Sequence, residues 1–164
     1  RHSLMPVLGG EDGKRDSVIF GYFGAAVNVF DGRYIYFRYP AVSGAKSLHE
    51  YTLMPTRMTT RFSIRDLLGA TLHPSFSFTK GVPVLKLDPK TDDEGQPVEV
   101  QGMGFEDWQS ALYDLETDPG QTTPLKNPET ETHLCQQIIA NMARLDAPQE
   151  AYWRFGLQAP GETA

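Results

Sequence analysis

The side chains that could hold a metal ion or act as a general base are few in this sequence and far apart. Its 164 residues include four histidines: His2, His49, His73 and His133. Their spacing gives neither a catalytic triad nor the ligand pattern of a zinc site. We therefore predict no such centre, and we expect His133, which begins a helical apolar stripe, to lie at the surface.

An acidic run at residues 92–94 is the other group that could hold a cation. An EF-hand loop aligned on Gly95 would need an acidic residue at position 90, where this sequence has Lys90. The run is therefore predicted to be the solvated tip of a polar loop over residues 89–97.

His73 and Lys80 are the two residues that we single out as candidates for ligand binding. His73 stands beside Pro74, and Lys80 occupies a predicted turn before Gly81. A lysine at the tip of a loop can contact an anionic ligand. Simple exposure to solvent is the alternative for both side chains.

Charge is distributed unevenly along the chain. Residues 1–90 carry 12 basic and 7 acidic side chains, whereas residues 91–164 carry 3 basic and 14 acidic ones. The basic residues are spread too thinly for a nucleic-acid-binding arm. A nucleic acid is therefore not a predicted partner. No apolar run reaches the roughly 18 residues of a membrane span, so a membrane is not a predicted partner either.

A β-hairpin is the clearest local prediction. Two runs rich in branched and aromatic residues, 25–30 and 33–39, flank Asp31-Gly32. Asp-Gly between such runs is a strong hairpin signal, because both residues of the tight turn need positive φ. A two-residue loop would pair Phe30 with Arg33 and Val29 with Tyr34.

Other segments also have the composition of strands. They are residues 18–23, a run around 51–54 and residues 76–79, which alternate apolar and polar side chains. Residues 82–87 contain Pro83, which cannot donate a ladder hydrogen bond, so an edge strand or an irregular loop is predicted there.

The last predicted element is a long amphipathic helix. Asn127 is a good N-cap and Pro128 suits the first helical position. The apolar stripe comprises Leu134, Ile138, Met142 and Leu145. Strands first and a long helix last predict an α+β fold, with a small antiparallel sheet of about four strands packed against a C-terminal α-helix.

The segment at residues 111–120, Ala-Leu-Tyr-Asp-Leu-Glu-Thr-Asp-Pro-Gly, is the most specific motif. It resembles the Leu-Tyr-Asp-Leu-x-x-Asp-Pro-x-Glu signature near the C-terminal end of type I sulfatases, in the alkaline-phosphatase superfamily. Residues 1–8, and residues 27–34 with their Asp-Gly-Arg-Tyr turn, resemble other sulfatase segments in the same order. His2, Gln121 and Pro124 depart from the residues common in that family.

The resemblance implies that residues 1–16 end a catalytic domain and that residues 17–164 form a C-terminal subdomain. Sulfatases hydrolyse sulfate esters with a formylglycine made from the first residue of a Cys/Ser-x-Pro-x-Arg motif, and they hold a divalent cation, usually calcium. Cys135 is followed by Gln137 and Ile139 where that motif needs proline and arginine, and no serine satisfies it. We therefore expect no catalytic residue, metal ligand or cofactor in this chain, and no activity from it alone.

The partners implied by the resemblance are an N-terminal catalytic domain and a sulfated substrate, of which a carbohydrate is one option. His73 and Lys80 would then lie at the rim of the substrate cleft. Separation from the catalytic domain would leave an apolar face able to self-associate. Because the sequence begins at Arg1, we expect its start and any targeting signal to lie outside it, and no compartment is predicted.

Two alternatives remain open. The chain could be a stand-alone module that binds a carbohydrate or a protein through its aromatic side chains. It could also be the C-terminal part of a phosphatase or phosphodiesterase of the same superfamily, in which serine or threonine replaces the formylglycine. A Cys/Ser-x-Pro-x-Arg segment upstream would favour the sulfatase.

Overall fold

The computed structural model describes residues 5–10, 16–40, 48–54, 56, 60–89 and 109–161. The strands are β1 (Val18–Gly21), β2 (Val27–Phe30), β3 (Tyr34–Arg38), β4 (Glu50–Thr52), β5 (Thr71–His73), β6 (Val84–Leu87) and β7 (Ala111–Asp114). The α-helices are α1 (Met5–Leu8), α2 (Ile64–Leu68), α3 (Pro128–Arg144) and α4 (Gln149–Arg154), and Ser77–Thr79 form a 3₁₀ turn. The acidic run at residues 92–94 lies outside the described residues.

Four strands form an antiparallel sheet in the order β1-β2-β3-β7. Helix α3 contacts β1 and β2 on one face of this sheet. Val29, Tyr36 and Leu112 are paired across three neighbouring strands, so their side chains share the face that α3 covers. The predicted α+β arrangement of a small antiparallel sheet against a C-terminal helix is confirmed.

The hairpin exists, but its register is two residues away from the predicted one. Phe30 pairs with Ile35 and Val29 with Tyr36. The Asp31 side chain causes the shift, because its Oδ1 atom accepts hydrogen bonds from the backbone N–H groups of Arg33 (2.9 Å) and Tyr34 (2.7 Å). A shift of two residues keeps each side chain on its face, so the core is unaffected.

Helix α3 begins as predicted, with the Asn127 side chain accepting a hydrogen bond from the Thr130 backbone N–H at 3.1 Å. Leu134, Ile138 and Met142 of its apolar stripe are buried. The prediction for Leu145 is wrong, because the helix ends at Arg144 and Leu145 is 44% exposed. Helix α4, which follows Pro148, was not predicted; it contributes Tyr152 to the same core.

A second antiparallel sheet has three strands in the order β4-β6-β5. The prediction of an edge strand or loop for residues 82–87 is wrong, because β6 is the central strand and begins only after Pro83. The strand predicted for residues 76–79 is wrong, because Ser77–Thr79 form the 3₁₀ turn, and the Thr79 hydroxyl donates to the Phe76 carbonyl at 2.9 Å. Alternation of apolar and polar side chains over only four residues does not distinguish a strand from a turn. Here the local hydrogen bond favours the turn.

No α-helix among the described residues is long and apolar enough to cross a membrane.

Candidate functional site

The most concentrated group of ionisable side chains lies where α4 meets the three-stranded sheet. His49 directly precedes β4, and Glu150 is in the first turn of α4. The His49 Nδ1 atom lies 2.6 Å from Glu150 Oε2, and the His49 backbone N–H donates to Oε1 at 3.0 Å. An ionised carboxylate can only accept, so Nδ1 carries the proton in this pair.

The pairing of β4 with β6 places Asp88 on the other side of the imidazole. Glu50 is opposite Leu87, so the next pair outward is His49 with Asp88. The His49 Nε2 atom lies 4.0 Å from Asp88 Oδ1. A Cβ atom at Gly69 would overlap Asp88 Oδ2, so a larger residue there would require the exposed Asp88 side chain to move.

Tyr51 completes the group around Glu150. Residues 49 and 51 share one face of β4 because side chains alternate along a strand, and the Tyr51 hydroxyl donates to Glu150 Oε1 at 3.4 Å. Burial first, and the negative charge of Glu150 second, raise the pKa of Tyr51 to about 12. Tyr51 therefore stays a neutral hydrogen-bond donor at physiological pH.

The predicted site residue His73 borders this group. It ends β5, and its ring lies 5.1 Å from the Tyr51 ring and is stacked on Phe76 at 5.2 Å, measured between centroids. Its Nδ1 atom is 2.8 Å from the Pro74 carbonyl oxygen. This half-buried side chain packs against two aromatic rings and therefore stabilises the fold locally. Its sequence context did not reveal that role.

The second predicted residue, Lys80, lies in an exposed turn. Its backbone is left-handed (φ 54°, ψ 41°), and Gly81 follows with φ 83°. The predicted turn is confirmed, and the side chain is exposed. No contact between His73 and Lys80 is found among the described interactions, and their part in ligand binding stays a prediction.

The two sequence motifs meet at the edge of the four-stranded sheet. Arg33, at the hairpin turn, donates hydrogen bonds to the carboxylate of Asp114, at the end of β7, through Nε (3.1 Å) and Nη2 (2.6 Å). Asp114 is buried, and the hydrogen bond from Arg33 holds the pKa of its carboxyl below the ordinary range. The arginine side chain also lies 3.2 Å from Glu116.

The Asp-Pro-Gly segment is organised by Asp118. One of its carboxylate oxygens accepts from the backbone N–H groups of Thr122 (2.7 Å) and Thr123 (2.8 Å), and the other accepts from the Thr122 hydroxyl (3.1 Å). These bonds, first that from Thr123, lower the pKa of Asp118. The motif thus builds a closed turn, and its acidic residues are engaged in structure.

The His49–Glu150 pair resembles the base and orienting acid of a hydrolase only in part. Such a pair acts when a hydroxyl or thiol lies within hydrogen-bond reach of the imidazole. Within the described ranges, no serine, threonine or cysteine side chain is hydrogen-bonded to His49. In the same ranges, no group of three histidine, cysteine, aspartate or glutamate side chains could hold a metal ion.

The contacts of Glu150 with His49 and Tyr51 join helix α4 to the three-stranded sheet. Sequence reasoning missed His49 and Glu150 because they are 101 residues apart and belong to no spacing pattern.

A scan against protein-family models gives no match for this sequence, and a search of curated proteins gives none either.

Proposed function

We propose that this chain is the C-terminal portion of a sulfatase-type hydrolase. In this proposal it completes the substrate cleft beside an N-terminal catalytic domain and has no turnover of its own. That domain would supply the formylglycine nucleophile and a divalent cation, expected to be calcium. The substrate would be a sulfate ester, with a sulfated carbohydrate as one option.

The observation that carries the proposal is the joining of the two motifs by Arg33 and Asp114. The Asp-Gly-Arg-Tyr turn and the Leu-Tyr-Asp-Leu strand each resemble a sulfatase segment, and they are far apart in the sequence. In the structure, the arginine of one binds the aspartate of the other across 81 residues of chain. A shared structural reason for both motifs supports common descent more strongly than two independent short matches.

The fold gives a second support. The resemblance implies a four-stranded antiparallel sheet with a C-terminal helix, and the chain has that sheet, with α3 against one face. Fold likeness alone does not identify an activity, because one architecture hosts many functions. The assignment to a sulfatase therefore depends on the motifs and on the test below.

The test uses the complete gene product from which this sequence comes. We expect a Cys/Ser-x-Pro-x-Arg segment upstream and hydrolysis of 4-nitrophenyl sulfate in preference to 4-nitrophenyl phosphate. Alanine at the first residue of that segment should abolish the hydrolysis. A preference for the phosphate ester would favour the phosphatase alternative.

The stand-alone binding module is the second candidate, favoured by exposed aromatic side chains such as Tyr22 (80% exposed) and Trp153 (60%). If the complete gene product lacks the Cys/Ser-x-Pro-x-Arg segment and hydrolyses neither the sulfate nor the phosphate ester, the hydrolase proposal is contradicted. That result would favour the binding module.

A further inference from the structure

An open apolar cavity of about 330 Å³ lies between the β1–β2 connection and helix α4. Residues 19–27 form one wall, and Leu48, Ala151 and Phe155 contribute to the other. The cavity is separate from the His49–Glu150 group, none of whose members lines it. Its volume is at the small end of the range for pockets that bind organic ligands.

The β1–β2 connection holds aromatic rings at the rim of this cavity. Ala25 donates its backbone N–H to the Tyr22 carbonyl at 3.0 Å, which closes a tight turn. Gly24 within that turn has φ 80°, and a Cβ atom on Gly21 would lie 2.4 Å from the Ala26 carbonyl oxygen. This glycine-dependent turn leaves Tyr22 and Phe23 exposed beside the cavity.

Arg154 is the charged residue in this lining. One terminal nitrogen donates to the Gly24 carbonyl, and the guanidinium lies 5.9 Å from the Phe155 ring centroid. Its Nε atom is buried without a hydrogen-bond partner. Among the described residues, no carboxylate forms an ion pair with it.

An arginine side chain keeps its charge at any ordinary pH, so this cavity contains a cation without a described counter-ion. Burial of an unpaired charge is unfavourable, and a bound anion would relieve it through a charge-assisted hydrogen bond. The apolar walls would bury the remainder of such a ligand. A neutral apolar ligand would leave the charge of Arg154 unpaired, and a strongly polar anion would leave the apolar walls uncovered.

We propose that this cavity binds a small organic monocarboxylate, with its apolar body against Phe20, Leu48 and Phe155 and its carboxylate directed to Arg154. This site is independent of the proposed hydrolase activity, because it uses neither His73 nor Lys80. It is therefore expected whether the complete protein hydrolyses sulfate esters or not.

The experiment compares octanoate with 1-octanol by isothermal titration calorimetry on the complete protein. These ligands share an apolar chain and differ in charge. We expect octanoate to bind roughly tenfold more tightly, as a charge-assisted hydrogen bond in a partly desolvated site allows. Equal affinities, or no binding of octanoate, would overturn the proposal.

Two variants locate the site, and a third variant serves as the control. Arg154→Gln should remove the preference for octanoate while leaving octanol binding unchanged, whereas Ala25→Leu should narrow the cavity and weaken both ligands. Arg144→Gln is the control, because Arg144 is an exposed arginine that binds Asn141 at 2.9 Å and does not line the cavity. A preference that survives in Arg154→Gln would overturn the proposal.

If Arg154→Gln fails to fold, Ala25→Leu decides the question. Weakened octanoate binding in that variant would support the site, and unchanged binding would contradict it.

Discussion

Arg33 and Asp114 illustrate how one pair of side chains connects distant parts of this chain. The planar guanidinium matches both oxygens of the carboxylate, which a lysine in its place could not do. The backbone N–H of Glu116 adds a further hydrogen bond to Asp114 at 3.0 Å. The pair therefore fixes the hairpin turn against the end of β7.

This pair predicts a pH dependence of stability. The pKa of Asp114 in the folded protein is lowered, chiefly by the hydrogen bond from Arg33. Its contribution is therefore fully present above the ordinary aspartate pKa of about 4, and it is lost as the pH falls through the lower folded-state value. Urea unfolding at pH 7 and pH 3 should show that Asp114→Asn lowers stability mainly at pH 7.

Glu116→Gln is the matched control for that experiment, because Glu116 also contacts Arg33 but is 66% exposed. It should change stability little at either pH. An Asp114→Asn variant with unchanged stability at pH 7 would show that the pair is not important for the fold.

Lys80 gives a prediction about substrate binding that depends on the proposed function. If this exposed cation contacts a sulfated substrate, Lys80→Ala should raise KM roughly 2–5-fold with little change in kcat, as expected for a solvent-exposed ionic contact. Lys126→Ala is the control, since Lys126 is also exposed. Steady-state kinetics of the complete enzyme measure both, and an unchanged KM in Lys80→Ala would remove this residue from the substrate rim.

At the scale of elements, α4 connects the two sheets. Tyr152 of α4 is in the core beneath the four-stranded sheet, while Glu150 binds His49 and Tyr51 of the three-stranded one. A second link runs from the Ser77 backbone N–H to Asp146 at 2.6 Å. The segment after α3 therefore holds the smaller sheet in place.

A double-mutant cycle tests this connection. His49→Ala and Glu150→Gln should show a coupling of about 1–3 kcal/mol in chemical unfolding, because both side chains are largely buried and share a short hydrogen bond. The His49–Asp88 cycle is the control and should couple by less than about 0.5 kcal/mol, since Asp88 is 68% exposed and 4.0 Å away. Similar couplings in the two cycles would contradict the assignment of Glu150 as the link.

At the scale of the whole molecule, large apolar side chains remain exposed around the β1–β2 connection. Phe20 is 45% exposed, Phe23 is 51% exposed and the neighbouring Tyr22 is 80% exposed. Contiguous exposed apolar surface of this kind commonly marks an interface.

This surface predicts self-association when the chain is prepared alone. Sedimentation velocity should show concentration-dependent oligomers, and Tyr22→Ser with Phe23→Ser should reduce them. Leu68→Ser is a control for general loss of exposed apolar area, because Leu68 is 82% exposed on α2. A monomer at high concentration would contradict the prediction, and an equal effect of Leu68→Ser would show that the association is not specific to this surface.

The elements that could be predicted are those defined by local chemistry. The α3 N-cap depends on Asn127 and Pro128, the Lys80-Gly81 turn on positive φ, and the helical stripe on three residues spaced four apart. Each is specified within a few residues, so sequence periodicity and capping rules are sufficient. The class of the fold follows from their order along the chain.

The errors occurred where a distant or side-chain interaction decided the outcome. Asp31 moved the hairpin register by two residues through hydrogen bonds to Arg33 and Tyr34. The central position of β6 depends on pairing with both β4 and β5, which its own composition does not reveal. Leu145 continues the stripe in sequence, but the helix ends before it.

By itself, the sequence determined the α+β class and the start of the long helix at Asn127 and Pro128, because those features are specified by neighbouring residues. Only the tertiary structure decided that Arg33 binds Asp114, that Glu150 binds His49, and that Arg154 lines an apolar cavity. The physical reason is that each contact joins residues from 81 to 130 positions apart. Such contacts form only when packing of the whole chain brings their elements together.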